Sequence, residues 1–262
     1  MRLEQGLVVS QEEVYENTYL MWVACPPVAR GAAPGRFLMV HCGAGADPLL
    51  ARPMSFHRFQ EAGAERQFAI LYDVRGRGTR LLSRRRPGDC IPLFGPLGRG
   101  YQLSERTQNV LLVAGGLGIA AVIALADEAI AKDKSVTLLQ GARRRAGLYP
   151  PELLPREVEA ISATDDGSAG HAGRVTELLA TYLPWADQVF ACGPNAMFDS
   201  MAAVMRECRS RKPVQALLEE RMGCGTGVCY GCAVFTRAGV RLVCKDGPRF
   251  ELRKVYGLNH RL

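Results

Sequence analysis

At 262 residues the chain is long enough for two or three small domains, and its 48% hydrophobic and 7% aromatic content is that of an ordinary soluble globular protein. The formal charge of +7 is weak support for nucleic-acid binding, because the basic residues are scattered and the densest runs are only Arg84–Arg86 and Arg143–Arg145. Nine cysteines form an odd number with no regular pairing, and nothing at the N-terminus resembles a secretory signal; a reducing cytoplasm fits best.

Residues 1–102 carry short β-type runs at Gly6–Val9, Thr18–Cys25, Arg36–Cys42, Gln67–Val74 and Asp89–Phe94, punctuated by Pro/Gly turns. Many short strands without a long helical pattern predict a small antiparallel β-barrel. Two places in it could bind a ligand. Arg52-Pro53-Met54-Ser55 sets a guanidinium and a hydroxyl around a rigid proline, suited to a phosphate and a flat ring. Gly76-Arg77-Gly78-Thr79 follows a strand and offers N–H groups and a hydroxyl to a pyrophosphate. Taken singly, each also reads as an ordinary turn.

Residues 103–212 alternate strand and helix: Asn109–Ala114, Ile119–Ala131, Ser135–Gln140, Glu157–Ala163, Arg174–Tyr182, Gln188–Cys192 and Pro194–Cys208. That alternation predicts a parallel sheet covered on both faces. Val110–Ala126 has no charge, but it is short for a membrane span and glycines interrupt it; a buried strand, turn and helix explain it better. At that turn Gly116-Leu117-Gly118-Ile119-Ala120-Ala121 meets the G-x-G-x-x-A form of a dinucleotide site. No acidic residue caps the next strand; Gln140-Gly141-Ala142 and three arginines stand there. The choice between NAD and NADP therefore stays open, and the arginines also read as a solvated loop. Cys192-Gly193-Pro194 ends a later strand, where open α/β sheets place ligands, so Cys192 either lines a nicotinamide pocket or is a small buried residue.

Residues 213–262 hold the strongest signal. Cys224, Cys229, Cys232 and Cys244 fall as C-x4-C-x2-C-x11-C, the ligand spacing of a plant-type [2Fe–2S] centre. Glycines at 223, 225, 227 and 231 let a loop bend round sulfide and aim bare N–H groups at sulfur. Only one of the short knuckles that structural zinc prefers is present. The four histidines (His41, His57, His171, His260) are widely separated and read as structural.

Barrel, dinucleotide unit and C-terminal cluster together resemble the electron-transfer subunit of class 1B dihydroorotate dehydrogenase, within the ferredoxin-reductase superfamily. The resemblance spans nearly the whole chain. It rests on Pro34-Gly35-x-Phe37, Arg52–Ser55, Gly76-x-Gly78-Thr79, Gly95-Pro96-Leu97-Gly98-x-Gly100, Gly115-Gly116-x-Gly118-Ile119-Ala120, Thr164–Ser168, Cys192–Pro194, Leu218–Met222 with Cys224, and Cys244–Pro248. Ala121 departs from the proline expected after Gly-Ile-Ala, a small change because proline at a helix start is favourable but not required.

The resemblance implies FAD at Arg52, Pro53, Met54 and Ser55 and along Leu71, Tyr72 and Asp73, with Gly78 and Thr79 at its pyrophosphate. It implies the cluster on Cys224, Cys229, Cys232 and Cys244, and NAD as the nucleotide. Nicotinamide takes two electrons at once and an iron–sulfur centre one, and a flavin converts between them. The partner it implies is an FMN-containing dihydroorotate dehydrogenase catalytic subunit, two of each in a heterotetramer, without nucleic acid or membrane. A stand-alone or bifurcating NAD(P)H–ferredoxin reductase subunit is the nearer alternative. An iron–sulfur sensor is the alternative of another class. Val228 and Tyr230, between the cluster cysteines, either anchor a partner or pack over the cluster.

Overall fold

A computed structural model of the chain describes residues 2–43, 47–63 and 65–256. The N-terminal part holds β1 (Arg2–Tyr15), β2 (Thr18–Ala24), α1 (Pro26–Ala29), β3 (Phe37–Val40), β4 (Arg52–Ser55), β5 (Arg58–Ala62), β6 (Glu65–Asp73), α2 (Arg77–Leu82) and β7 (Cys90–Leu97). The strands hydrogen-bond in the order β4-β3-β7-β1-β2-β6-β5, every pair antiparallel. The two edge strands, β4 and β5, are consecutive in the chain and separated only by Phe56 and His57. A sheet whose edges are so joined has to roll up, and the result is the expected barrel. Leu38, Val40, Phe56, Phe68, Ile70, Ile91 and Leu93 fill its interior.

β4 and β5 lie outside the five strands expected from the sequence. Pro53 makes β4 a poor strand by composition, yet an edge strand tolerates proline because one of its sides needs no N–H donor.

The second part holds β8 (Asn109–Gly115), α3 (Ile119–Ile130), β9 (Ser135–Ala142), β10 (Val158–Thr164), β11 (His171–Ala172), α4 (Leu179–Tyr182), β12 (Gln188–Cys192), α5 (Asn195–Glu207) and β13 (Val214–Leu217). Then come β14 (Ala233–Thr236), β15 (Gly239–Leu242), α6 (Val243–Asp246), β16 (Arg249–Glu251) and α7 (Leu252–Val255). The sheet order is β11-β10-β9-β8-β12-β13-β16, parallel throughout except that β16 runs antiparallel to β13. Val110–Ala114 of β8 is wholly buried, as a central parallel strand covered on both faces must be. The helical stretch expected at Arg174–Tyr182 is a 3₁₀ turn, Val175–Leu178, running into the single-turn α4.

β13 and β16, which flank the cysteine-bearing stretch, complete the parallel sheet. Their pairing (Gln215 opposite Glu251, Leu217 opposite Arg249) buries apolar residues that a separate fifty-residue lobe could not cover alone.

Barrel and sheet are locked at α3. Arg58 of β5 makes two hydrogen bonds to Asp127, at 2.9 and 2.8 Å, and a third to the Leu153 carbonyl. His57 is fully buried between the Ala120 carbonyl (3.1 Å from Nδ1) and the Tyr149 hydroxyl (3.0 Å from Nε2). A carbonyl only accepts, so Nδ1 carries the proton and Nε2 accepts from Tyr149. Burial drives the His57 pKa from 6.5 down to about 3, with the Ala120 hydrogen bond opposing, so the ring is neutral. The structural reading of His57 holds; His260 lies outside the described residues.

Candidate functional site

The carboxyl ends of β8 and β12 meet at the point where strand order reverses, the place where open α/β sheets leave a crevice. Gly116, with φ +54°, turns the chain out of β8. Gly118 then sits so close to the end of β12 that a Cβ there would lie 2.0 Å from the Cys192 carbonyl oxygen. Gly118 is therefore needed for close approach and Gly116 for its positive φ, and the turn abuts Cys192-Gly193-Pro194.

Between this crevice and the barrel opens a cleft of about 480 Å³. The barrel contributes Phe37, Pro53, Met54, Ser55 and Leu71; the sheet side contributes Leu117, Ala120, Cys192 and Leu217. Residues 218–222 and Pro248 form the rest of the wall. The Arg52 guanidinium lies over Gly78, 3.2 Å from where a Cβ would stand, so the two phosphate-type motifs of the barrel meet.

Other expected residues are placed differently. Tyr72 is buried in the barrel interior, its hydroxyl donating to Gln11 Oε1 at 2.6 Å, because alternation along β6 sends it inward when Leu71 faces the cleft. Asp73 accepts from the Thr18 hydroxyl and from Arg75. The Thr79 hydroxyl accepts the N–H groups of Arg75 and Gly76 at 3.0 and 3.3 Å, so it shapes the entry to α2. Side chains of these three are thus occupied, and only the main chain of that stretch and the first-turn N–H groups of α2 stay free for a ligand.

Cys192 lines the cleft and is 1% exposed, a small buried residue that forms part of the cleft wall. Its thiol lies 3.5 Å from Glu219 Oε1. Burial, with the Glu219 charge behind it, holds the thiol well above its ordinary range, making it a neutral donor and not a nucleophile. Water reaches Glu219 through the open cleft, although protein crowds it at longer range. That crowding raises its carboxyl pKa, against the Cys192 hydrogen bond and the Arg75 charge, which lower it. Sequence reasoning gave Glu219 no role; its place in Leu218-Glu219-Glu220, just after β13, was the available signal.

The cysteine loop leaves the cleft wall directly, Cys224 following Met222 by two residues, at most about 7 Å of chain. The N–H groups of Thr226, Val228 and Cys229 point at Cys224 Sγ from 3.3, 3.3 and 3.5 Å. Burial raises the Cys224 pKa, but these amides together outweigh it and bring the thiol down to about 5, a thiolate at neutral pH. Gly231 N–H reaches Cys229 Sγ, and Cys244 N–H reaches Cys232 Sγ, each at 3.5 Å. Burial, with the neighbouring Cys232, pushes Cys244 up to about 12. All nine cysteines are free. Among the described residues no three His, Cys, Asp or Glu side chains converge on one metal ion. A two-iron centre asks for two thiolates at each iron, and the adjacent pair Cys232/Cys244 together with the amide-wrapped Cys224 and Cys229 fits that demand.

Gly225, with φ +68°, packs this loop on the barrel, where an added Cβ would meet the Met39 side chain at 2.8 Å. On the outer side Val228 and Tyr230 are 77% and 65% exposed. Phe235 and Val240 of the β14–β15 hairpin are exposed as well.

A barrel and a parallel sheet flanking one cleft, with a cysteine loop beside it, define an oxidoreductase of the ferredoxin-reductase type with an iron–sulfur segment. A solved NADH-dependent reduced ferredoxin–NADP oxidoreductase matches with a TM-score of 0.83 at 28% identity, covering 95% of this chain and 89% of that one. Residues 219–256 match the family model of the iron–sulfur cluster binding domain of dihydroorotate dehydrogenase B. The dihydroorotate dehydrogenase B (NAD(+)) electron transfer subunit of Desulforamulus reducens is 38% identical over 244 residues, 90% of this chain and 92% of that protein. Its counterpart in Geobacillus kaustophilus is 36% identical over 258 residues, 96% of this chain and 98% of that protein. The chain belongs to the family of dihydroorotate dehydrogenase B electron transfer subunits.

Proposed function

We propose that this chain is the electron-transfer half of an NAD+-reducing dihydroorotate dehydrogenase, working in pyrimidine biosynthesis. It holds FAD and a [2Fe–2S] centre, receives electrons from dihydroorotate oxidised on an FMN-containing catalytic subunit, and delivers them to NAD+. The observation that carries this reading is convergence: Pro53–Ser55 and Leu71 of the barrel, Cys192 of the sheet, and Met222 beside the first cluster cysteine line a single cleft.

Arg52, Pro53, Met54 and Ser55 hold FAD, Leu71 packs on it, and Tyr72 and Asp73 meet it through main chain. Gly78 and Thr79, at the start of α2, present N–H groups to its pyrophosphate. Gly116 and Gly118 bare the turn for the nucleotide pyrophosphate, with Cys192, Gly193 and Pro194 at its nicotinamide end. Cys224, Cys229, Cys232 and Cys244 hold the irons. When bound, FAD exchanges two electrons with nicotinamide and single electrons with the iron–sulfur centre. The neutral Cys192 thiol and Glu219 supply a donor and an acceptor at the cleft wall without competing as nucleophiles.

Residues 1–102 make the flavin unit, 103–212 the dinucleotide unit and 213–262 the cluster segment, β13 and β16 of the last completing the sheet of the second. Val228 and Tyr230 anchor the catalytic subunit, two copies of each chain assembling in the cytoplasm. Among the described residues no helix is long and apolar enough to cross a membrane.

Coexpression with a candidate FMN subunit should yield a complex with stoichiometric flavin, iron and acid-labile sulfide that reduces NAD+ when given dihydroorotate. Zinc without labile sulfide, or a fully loaded complex inert to dihydroorotate, refutes the reading.

A further inference from the structure

The second strand of the dinucleotide unit, β9, ends in Gly141 and Ala142 and carries no acid to receive a ribose 2′-hydroxyl. The structure places an acid there by another route. The loops after β9 and β10 are zipped together at the carboxyl edge of the sheet. Asp165 N–H donates to the Ala142 carbonyl at 3.1 Å, and Asp166 N–H to the Arg143 carbonyl at 3.2 Å. Arg145 N–H closes the zip on the Ser168 hydroxyl at 2.8 Å. Asp165 is thereby held against the end of β9, one strand over from where the sequence pattern looks for it.

The charged groups around it are distinguishable by what they already do. Asp166 turns back to accept Ser168 N–H at 2.9 Å; the Ser168 side chain, with that N–H, lowers its pKa and leaves it a turn-forming residue. Arg144 is committed to Glu16 of the barrel at 2.7 and 2.9 Å. Among the described residues the Asp165 carboxylate is exposed and makes no hydrogen bond or ion pair within the chain, and the side chains of Arg143 and Arg145 likewise make none. One free carboxylate in the loop after β10, whose N–H is pinned to the end of β9, can accept a ribose hydroxyl and repels a phosphate in the same place.

We infer that Asp165 is the residue that selects NAD over NADP, its carboxylate accepting the adenosine ribose 2′-hydroxyl, while Arg143 and Arg145 line the loop without forming a 2′-phosphate clamp. This rests on the reading of the chain as a dinucleotide-binding reductase. It also answers the question the arginine run leaves open, since that run alone favours NADP.

The test is equilibrium binding of NAD+ and of NADP+ to the oxidised, flavin-loaded protein by calorimetry, where no turnover intervenes. The unsubstituted protein should prefer NAD+. Asp165→Asn should lower the NAD+-over-NADP+ affinity ratio by about tenfold, the worth of a charge-assisted hydrogen bond lost together with a repulsion. Asp166→Asn removes the same unit of charge one residue away and should leave the ratio within about twofold, while Arg143→Ala with Arg145→Ala should not raise it. The flavin absorption spectrum reports folding of each variant. An unchanged ratio in Asp165→Asn, an equal fall in Asp166→Asn, or a preference for NADP+ abolished by the arginine substitutions overturns the assignment. Loss of both nucleotides in the unsubstituted protein would refute the dinucleotide site itself, and the assignment with it.

Discussion

The buried His57 makes stability depend on pH in a way that can be calculated. In the folded chain its pKa is about 3, against 6.5 when exposed. Between those values the unfolded chain binds the proton that the folded chain refuses. Stability from the neutral ring is therefore complete above pH 6.5 and is lost as pH falls towards 3. From pH 7 to pH 5 the loss covers one and a half units below 6.5, about 2 kcal/mol, with no discount for solvent because the ring is fully buried. His57→Asn keeps an N–H for the Ala120 carbonyl and removes the titration. At pH 7 it should cost about 1–3 kcal/mol, because the Tyr149 hydroxyl loses its acceptor. At pH 5 that deficit should shrink by about 2 kcal/mol, since the natural chain has meanwhile lost that much. Urea unfolding followed by the fluorescence of Trp22 and Trp185 at the two pH values measures the difference, and groups common to both proteins cancel. Parallel pH dependence in the two proteins would refute the reasoning.

Three further outcomes are expected. Cys229→Ser should abolish the iron–sulfur EPR signal of the reduced protein while flavin stays bound; an unchanged signal would exclude Cys229 as a ligand. Gly118→Ala drives a Cβ into the Cys192 backbone, which cannot yield as a side chain can; it should cost about 2–3 kcal/mol and eliminate NAD+ binding with FAD retained, measured by melting and titration. Tyr230→Asp should slow dihydroorotate-to-NAD+ transfer in the complex yet spare NADH oxidation by artificial acceptors; equal loss of both activities would assign Tyr230 to supporting the cluster.

The parts of this protein legible in its sequence are those whose chemistry is local. Cys224, Cys229, Cys232 and Cys244 share one short stretch, so ligand spacing survives in the sequence; the glycine turn after β8 is likewise complete within six residues. Relationships that depend on which strand lies next to which were hidden. The inward turn of the Tyr72 side chain was hidden because nothing in the sequence says which face of β6 meets the barrel interior. β4 hid behind Pro53, acceptable only once the strand is known to be an edge. Glu219 meets Cys192 across the neighbouring strand ends of β12 and β13, and Asp165 meets Ala142 in the same way, contacts that exist only after the sheet is assembled.

The return of β16 to the side of β13 turns the cluster-bearing stretch into a loop fastened at its neck. Roughly thirty residues leave the sheet after Leu217 and re-enter it at Arg249, and Leu218 N–H bonds the Pro248 carbonyl to shut the opening at 2.9 Å. Arg99 N–H takes the Gly247 carbonyl at 2.6 Å, tying the same neck to the end of the barrel's last strand. A redox module strung on a flexible linker has to search for its contact and spends part of each cycle out of tunnelling range. Here the cysteine loop needs no such search: its spacing from the barrel is laid down once, by strand pairing during folding.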